Sequence, residues 1–432
     1  MVTEYKVFNL NGNHKSRELP RWKVVISWLL IFMVTEVYKL VPSFAFASLY
    51  FNIFLFAGWF AFFLYILKYG INSICWWIIG YCLLFPVYGS LKAEHLFGQS
   101  FLLGVASLRY LSFILCGYIL LLIKYPYSNI IRQINTFNLW VAGLSIVMIL
   151  ILNIPAHTLN GLFVDTNFVE YDGSSSEGYQ SVRGSRFTKC SQIIFVSLVY
   201  YLLDIMRNGF NKKNIPRFLL LLIYMLFVHK GRQPVAVLGI VYIIAYIRMR
   251  GLTLKKFLLT LLPVITVCII VIAFPEVLQS FTTILEGDKS QDFSTLARIW
   301  SVESISPYIE SNPILGVGNL SPHYKNGFHG ILGRTFYIAD IGIIGTMARG
   351  GIVLIFIYLG LYLTLLINIG RIHNFVNKQF LGYMLLVHVC LLIIFFNDIL
   401  YGDGAVGFAL IFYPLFTNTS TLRKLGVCRK SI

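Results

Sequence analysis

The side chains in this chain best suited to chemistry are arginines and histidines set between apolar runs. Arg183 and Arg186 lie in Ser181-Val-Arg-Gly-Ser-Arg-Phe187, and Arg232 lies in Lys230-Gly-Arg-Gln233. Arg298 stands in Ala297-Arg-Ile-Trp300, and Arg334 and Arg349 bracket the start of a later apolar run. A guanidinium is permanently charged and forks onto two phosphate oxygens at once, so such a set suits a pyrophosphate group. Taken singly, each also reads as a loop charge or a side chain snorkelling toward water. Arg232 differs, because a cation wedged at membrane depth is costly unless paired. His329 in Gly327-Phe-His-Gly330, with His323 six residues earlier, carries an imidazole able to accept a hydroxyl proton near neutral pH. A lone loop histidine more often has an inert role. Asp340, at the entry of an apolar run, either pairs with a cation or caps a helix, and Asp398 and Asp403 pose the same choice.

The elements that must carry these groups follow from composition. Of 432 residues, 57% are hydrophobic and 12% charged, about half the charge of an ordinary soluble domain, and mean hydropathy is +0.75. The fold class is therefore an all-α polytopic membrane protein. Apolar runs long enough to approach a span cover 23–42, 46–67, 71–89, 102–123, 138–153, 191–206, 217–229, 233–248, 257–274, 341–369, 379–397 and 405–418. These make about 12 transmembrane helices, of which 217–229 and 233–248 are either two tilted helices or one re-entrant hairpin. With the N-terminus inside, 22 of the 35 Lys and Arg fall on cytoplasmic segments, which places both termini in the cytoplasm. Glu36 and Arg109 then lie within spans, where a charge is a functional candidate. The first apolar run is expected to serve as an uncleaved anchor.

Five regions result: N-terminal transmembrane helices in 1–153, a first long periplasmic loop in 154–190, and central transmembrane helices in 191–274. A large periplasmic loop with a short helix covers 275–340, and C-terminal transmembrane helices with a cytoplasmic tail cover 341–432. In the large loop, Ser294 is read as the N-cap of a helix through Leu296–Glu310, ended by Asn312-Pro313. The net charge of +17 is spread over short loops rather than one patch, which argues against a nucleic-acid partner. Seven cysteines, without a Cys-x-x-Cys pair, argue against a disulfide framework or a zinc site, and no metal is expected. Gly316-Val-Gly318-Asn resembles part of a phosphate loop but lacks the following lysine and the strand–turn–helix setting, so it is set aside.

In order along the chain come Ala297-Arg-Ile-Trp300, Ser311-Asn-Pro-Ile-Leu-Gly-Val-Gly318, a loop histidine, and Ala339-Asp-Ile-Gly-Ile-Ile-Gly345 entering a span. That order resembles the bacterial O-antigen polymerases (Wzy-type), within the superfamily shared with the O-antigen ligases, and Lys230-Gly-Arg-Gln233 resembles its Ser-Arg segment. The resemblance implies a helical glycosyltransferase of the inner membrane, related to the GT-C-type lipid-sugar transferases. It implies undecaprenyl-pyrophosphate-linked oligosaccharides as substrates, with no cofactor, nucleotide sugar or metal, and the lipid bilayer and a chain-length regulator as partners. Carried onto this sequence, Arg183, Arg186, Arg232, Arg334 and His323 would hold the pyrophosphate, and His329, Arg298 and Asp340 would be catalytic. A ligase moving the glycan to a lipid A core is the alternative in the same class. A flippase of lipid-linked sugars is the alternative in another, and it predicts short outer loops and charge-lined spans.

Overall fold

The computed structural model describes residues 19–41, 43–163, 187, 189–208, 212–229, 232–248, 293–333, 336, 338–372, 374–393, 400 and 403–417. Among these every regular element is helical. The chain opens with α1 (Arg21–Val34), α2 (Phe44–Tyr69), α3 (Ser73–Phe97), α4 (Phe101–Ser107), α5 (Arg109–Leu122), α6 (Tyr127–Ile151) and α7 (Ala156–Asn160). It continues with α8 (Ile194–Asn208), α9 (Asn214–Val228) and α10 (Arg232–Arg248). Then follow α11 (Phe293–Ser311), α12 (Gly327–Leu332), α13 (Gly342–Gly370), α14 (Phe375–Ile393) and α15 (Asp403–Phe412).

Five of the described helices are long and apolar enough to cross a membrane, and the pair α4–α5, bent by 41°, makes a sixth if counted as one broken span. The chain is a multi-pass membrane protein. Helices coincide with eleven of the twelve expected runs, but α1, α8, α9, α10 and α15 are shorter than the roughly 20 residues a span needs, and 257–274 lies outside the described residues. The outer surface fits lipid as solvent. On α2, Leu49, Ile53, Phe56, Phe60, Phe63 and Leu67 recur every three or four residues and are exposed, Phe56 by 78% and Leu67 by 83%.

Inside, α15 and the turn Tyr413–Phe416 are buried at the centre, against α1, α5 and α14. Lipid is as apolar as leucine, so close packing and polar ties must hold such a bundle together. Phe62, Tyr65 and Phe416 gather around Tyr118, and the Tyr65 hydroxyl donates to Thr417 Oγ1 at 2.9 Å. The Asn138 amide donates to Ser197 Oγ at 2.8 Å, tying α6 to α8. Pro86 removes an amide hydrogen inside α3, and the helix accommodates it by widening to a π-turn over Gly80–Leu84.

A second, smaller core forms a lobe of its own, the outer lobe of the expected topology. Ala93 of α3, Ile305 of α11, Val317, Leu320, Phe328 of α12, Phe336, Ile341 and Ala348 of α13 pack together there. The helix expected over Leu296–Glu310 is α11, but it already includes Phe293, so Ser294 lies within the first turn and is not the cap. Gln99 spans the loop 319–321, donating to the Asn319 carbonyl at 3.0 Å and accepting from the Ser321 amide at 2.6 Å.

The run 341–369, expected as one span, is a helix with a break in it. Gly351 has φ 61° and ψ −161°, which only glycine adopts readily. The groups freed by the break are paired by the segment after α11. The amides of Val317 and Gly318 donate to the carbonyls of Ala348 and Arg349 at 2.8 and 3.0 Å. The amides of Ile352 and Val353 donate to the carbonyls of Pro313 and Ile314 at 2.9 and 3.1 Å. Gly316-Val-Gly318 is thus a backbone splint for a broken helix, consistent with setting aside a phosphate-loop role. Tyr88 of α3 completes the repair, its hydroxyl donating to the Gly350 carbonyl at 2.9 Å. Tyr88→Phe should lower stability by about 1 kcal/mol, read as a lower thermal midpoint of the purified protein. An unchanged midpoint would show that the carbonyl finds another donor.

Candidate functional site

Two of the cation-bearing segments meet. Residues 187–193 lead into α8, and 228–231 join α9 to α10. The last turn of α9 is widened to a π-turn over Tyr224–Val228, with the His229 amide donating to the Tyr224 carbonyl at 2.9 Å. The Val228 carbonyl accepts from the Phe187 amide at 3.1 Å, and His229 Nδ1 lies 3.2 Å from the Phe187 carbonyl. The His229 ring stacks on Tyr224 with centroids 6.4 Å apart. Phe187 also meets Phe163 at 6.3 Å, so the first long loop leaves and returns at one place. Arg186 directly precedes Phe187 in sequence, and Arg232 opens α10 three residues after His229. Arg183 and Arg186 themselves, like Arg334, lie outside the described residues. For Arg232, Arg298 and Asp340 the structure describes the backbone position.

Beside this junction stands a buried charge cluster. Glu36 was expected within the first span, but α1 ends at Val34 and Glu36 occupies a left-handed turn at φ 61° beyond it. Its carboxylate is 8% exposed and takes Lys39 Nζ on Oε1 at 2.9 Å and Lys189 Nζ on Oε2 at 2.7 Å. Cys190 follows Lys189. Burial first, then the Glu36 carboxylate, push its thiol up to about 12 against the opposing Lys189 charge, so it stays protonated and unreactive at neutral pH. The lysines escaped the sequence reading, although Glu36 and Lys39 stand at the i, i+3 spacing of an ion pair. Arg109, also expected within a span, sits at the 41° bend between α4 and α5 with its guanidinium 5.0 Å from the Phe51 ring centre.

The remaining candidates belong to the outer lobe. His329 is the third residue of α12, half-buried, and its neighbour Phe328 fixes that helix against Phe97 and Phe336 at 6.5 and 5.7 Å. His323 is exposed in the preceding turn, where its amide donates to Ser321 Oγ at 3.3 Å. Arg298 lies in the second turn of α11. Asp340 does not cap α13: it lies in the turn Ile338–Ile341, and Ile341 holds the cap position. The short turn takes up one more residue than the reading allowed.

Arg349 is 3% exposed at the end of the upper half of α13, with Nε 3.4 Å from the Gly345 carbonyl. The carbonyl end of a helix segment favours a cation there. Lys92 of α3, not singled out in the sequence, reaches Asn312 Oδ1 at 3.1 Å at the foot of the splint. Among the described residues no group of three or more His, Cys, Asp or Glu is arranged to hold a metal ion.

The structure therefore gathers two sets, one around Phe187–His229 with the start of α10, the other on the lobe with His323 and His329. No curated protein matches the chain. Residues 218–359, from α9 into the lower half of α13, match a family described as O-antigen ligase. That stretch contains Arg232, Arg298, His323, His329, Arg334 and Asp340, so over the part that carries most of the candidate residues the chain is similar to the O-antigen ligase family.

Proposed function

We propose that this protein is a glycosyltransferase of the bacterial inner membrane that polymerises lipid-linked oligosaccharides in the outer leaflet, with both termini in the cytoplasm. The observation that carries the reading is the pairing of Phe187 with Val228 and His229, which joins the chain next to Arg186 to the chain next to Arg232. The family match over 218–359 supports the same chemistry.

In this reaction a hydroxyl at the non-reducing end of a new lipid-linked repeat unit attacks the anomeric carbon of the growing glycan. The bond from that carbon to undecaprenyl pyrophosphate breaks, and the carrier leaves with the electron pair. His329 accepts the hydroxyl proton. Arg183, Arg186, Arg232 and Arg334, with His323, hold the pyrophosphate as charge develops on it. Arg298 and Asp340 act beside His329 from the lobe. No metal or nucleotide sugar enters this scheme.

A second reading, transfer of the glycan to a lipid A core, is favoured by the description of the matched family as ligases. A deletion strain separates the two. Loss of a polymerase leaves a single repeat unit on the acceptor, whereas loss of a ligase leaves none. A full length ladder in the deletion strain would reject both.

A further inference from the structure

Lys189 and Glu36 come from distant parts of the chain, yet they meet at 2.7 Å in a largely buried setting. Lys189 lies two residues after Phe187, which is itself hydrogen-bonded to Val228 and faces His229. The segment is thus held at two points: by its backbone to the end of α9, and by an ion pair to the turn after α1. Lys39 completes the charge on the other carboxylate oxygen and is 3% exposed. Removing one partner from a buried pair is far more disruptive than loss of a surface bridge, because a bare charge is left behind. Here Glu36 has two cations, so either lysine can be removed and the carboxylate stays compensated. Only one of the two, however, comes from the segment before α8.

We propose that the Lys189–Glu36 ion pair is a clasp that positions the segment entering α8 against the α9–α10 junction, and so presets the binding of the pyrophosphate-linked donor. Lys189 and Glu36 are positioning residues in this scheme; they touch the loop and not the substrate. The inference rests on the proposed function for its catalytic half, and on the two contacts of the segment for its structural half.

The test compares two variants that each take one lysine from the same carboxylate. In purified full-length protein in nanodiscs, Lys189→Met should raise hydrogen exchange at the Phe187 amide by about tenfold or more, while Lys39→Met changes it by less than about threefold. In transfer assays with an undecaprenyl-pyrophosphate-linked oligosaccharide, Lys189→Met should raise the donor KM about tenfold and leave kcat within about threefold. Lys189→Arg, which keeps the cation, should restore both values. Unchanged exchange in Lys189→Met would overturn the clasp. Equal effects of the two lysine changes would reduce the cluster to a buried charge with no positioning role, and so overturn the proposal as well. Raised exchange with an unaltered KM would overturn the link to donor binding. If the unaltered protein transfers nothing from this donor, the functional reading falls and the positioning role with it, while the exchange comparison still decides the clasp.

Discussion

Gly318→Ala is expected to unfold the outer lobe. A β-carbon at this position would stand 2.0 Å from the Gly89 carbonyl oxygen and 2.8 Å from the Ala93 amide nitrogen, both backbone atoms of α3 that cannot swing aside. The residue also has φ 84°, a conformation that other residues adopt at a cost. Relieving the clash would shift the segment from its place against α3, and with it the amides of Val317 and Gly318 that satisfy the Ala348 and Arg349 carbonyls. Buried carbonyls without donors add to the strain, so the destabilisation should reach about 4 kcal/mol or more, at the extreme end for a single substitution. The measurement is protease cleavage between 293 and 341 together with the thermal midpoint. Gly143→Ala serves as the control, since nothing lies within 4 Å of a β-carbon there. Equal behaviour of the two variants would mean that the splint contributes little.

Arg232→Ala should reduce transfer by about a hundredfold or more, the usual consequence of deleting one group that stabilises a charged leaving group. Arg232 is the first residue of α10, and Val237, Leu238, Val241 and Ala245, buried on the described part of that helix, lie farther along it, so the protein should reach the membrane at its normal level. Arg232→Lys should recover only part of the loss, because an ammonium keeps the charge but cannot fork onto two oxygens. The assay is the length ladder in a complemented deletion strain, normalised to protein level. A normal ladder from Arg232→Ala would remove this residue from the pyrophosphate site.

Much of the helical framework was legible because lipid imposes a simple rule: about twenty apolar residues, with charges kept to the connections. That rule located α2, α13 and α14 to within a few residues, whereas α3 runs on to Phe97, past its expected end at 89, and α6 begins at Tyr127, well before 138. It could not see the break in α13. Ala348-Arg-Gly-Gly-Ile352 carries a Gly-Gly pair that can kink a helix, but the sequence does not show that Pro313 to Gly318 will arrive alongside to pair its backbone. Glu36 illustrates the same limit. Its charge was visible, but Lys189, one of its two partners, comes from far along the chain, and the turn that brings it there depends on a left-handed residue at the end of α1. Candidate site residues were found by charge type and loop placement. Their grouping into a junction at Phe187–His229 and a separate histidine-bearing lobe depends on contacts between segments that sequence spacing does not encode.

The splint also fixes what can be exchanged between related proteins. Because residues 313–318 are sewn into 348–353, Tyr88 of α3 reaches the same break and Gln99, just after α3, holds the adjoining 319–321, the transplantable unit is assembled from separate stretches of the gene. A chimera that swapped only the long outer loop would separate these partners and be expected to misassemble. One that carried 85–107 together with 293–353 would keep these partners together and move the lobe as a unit.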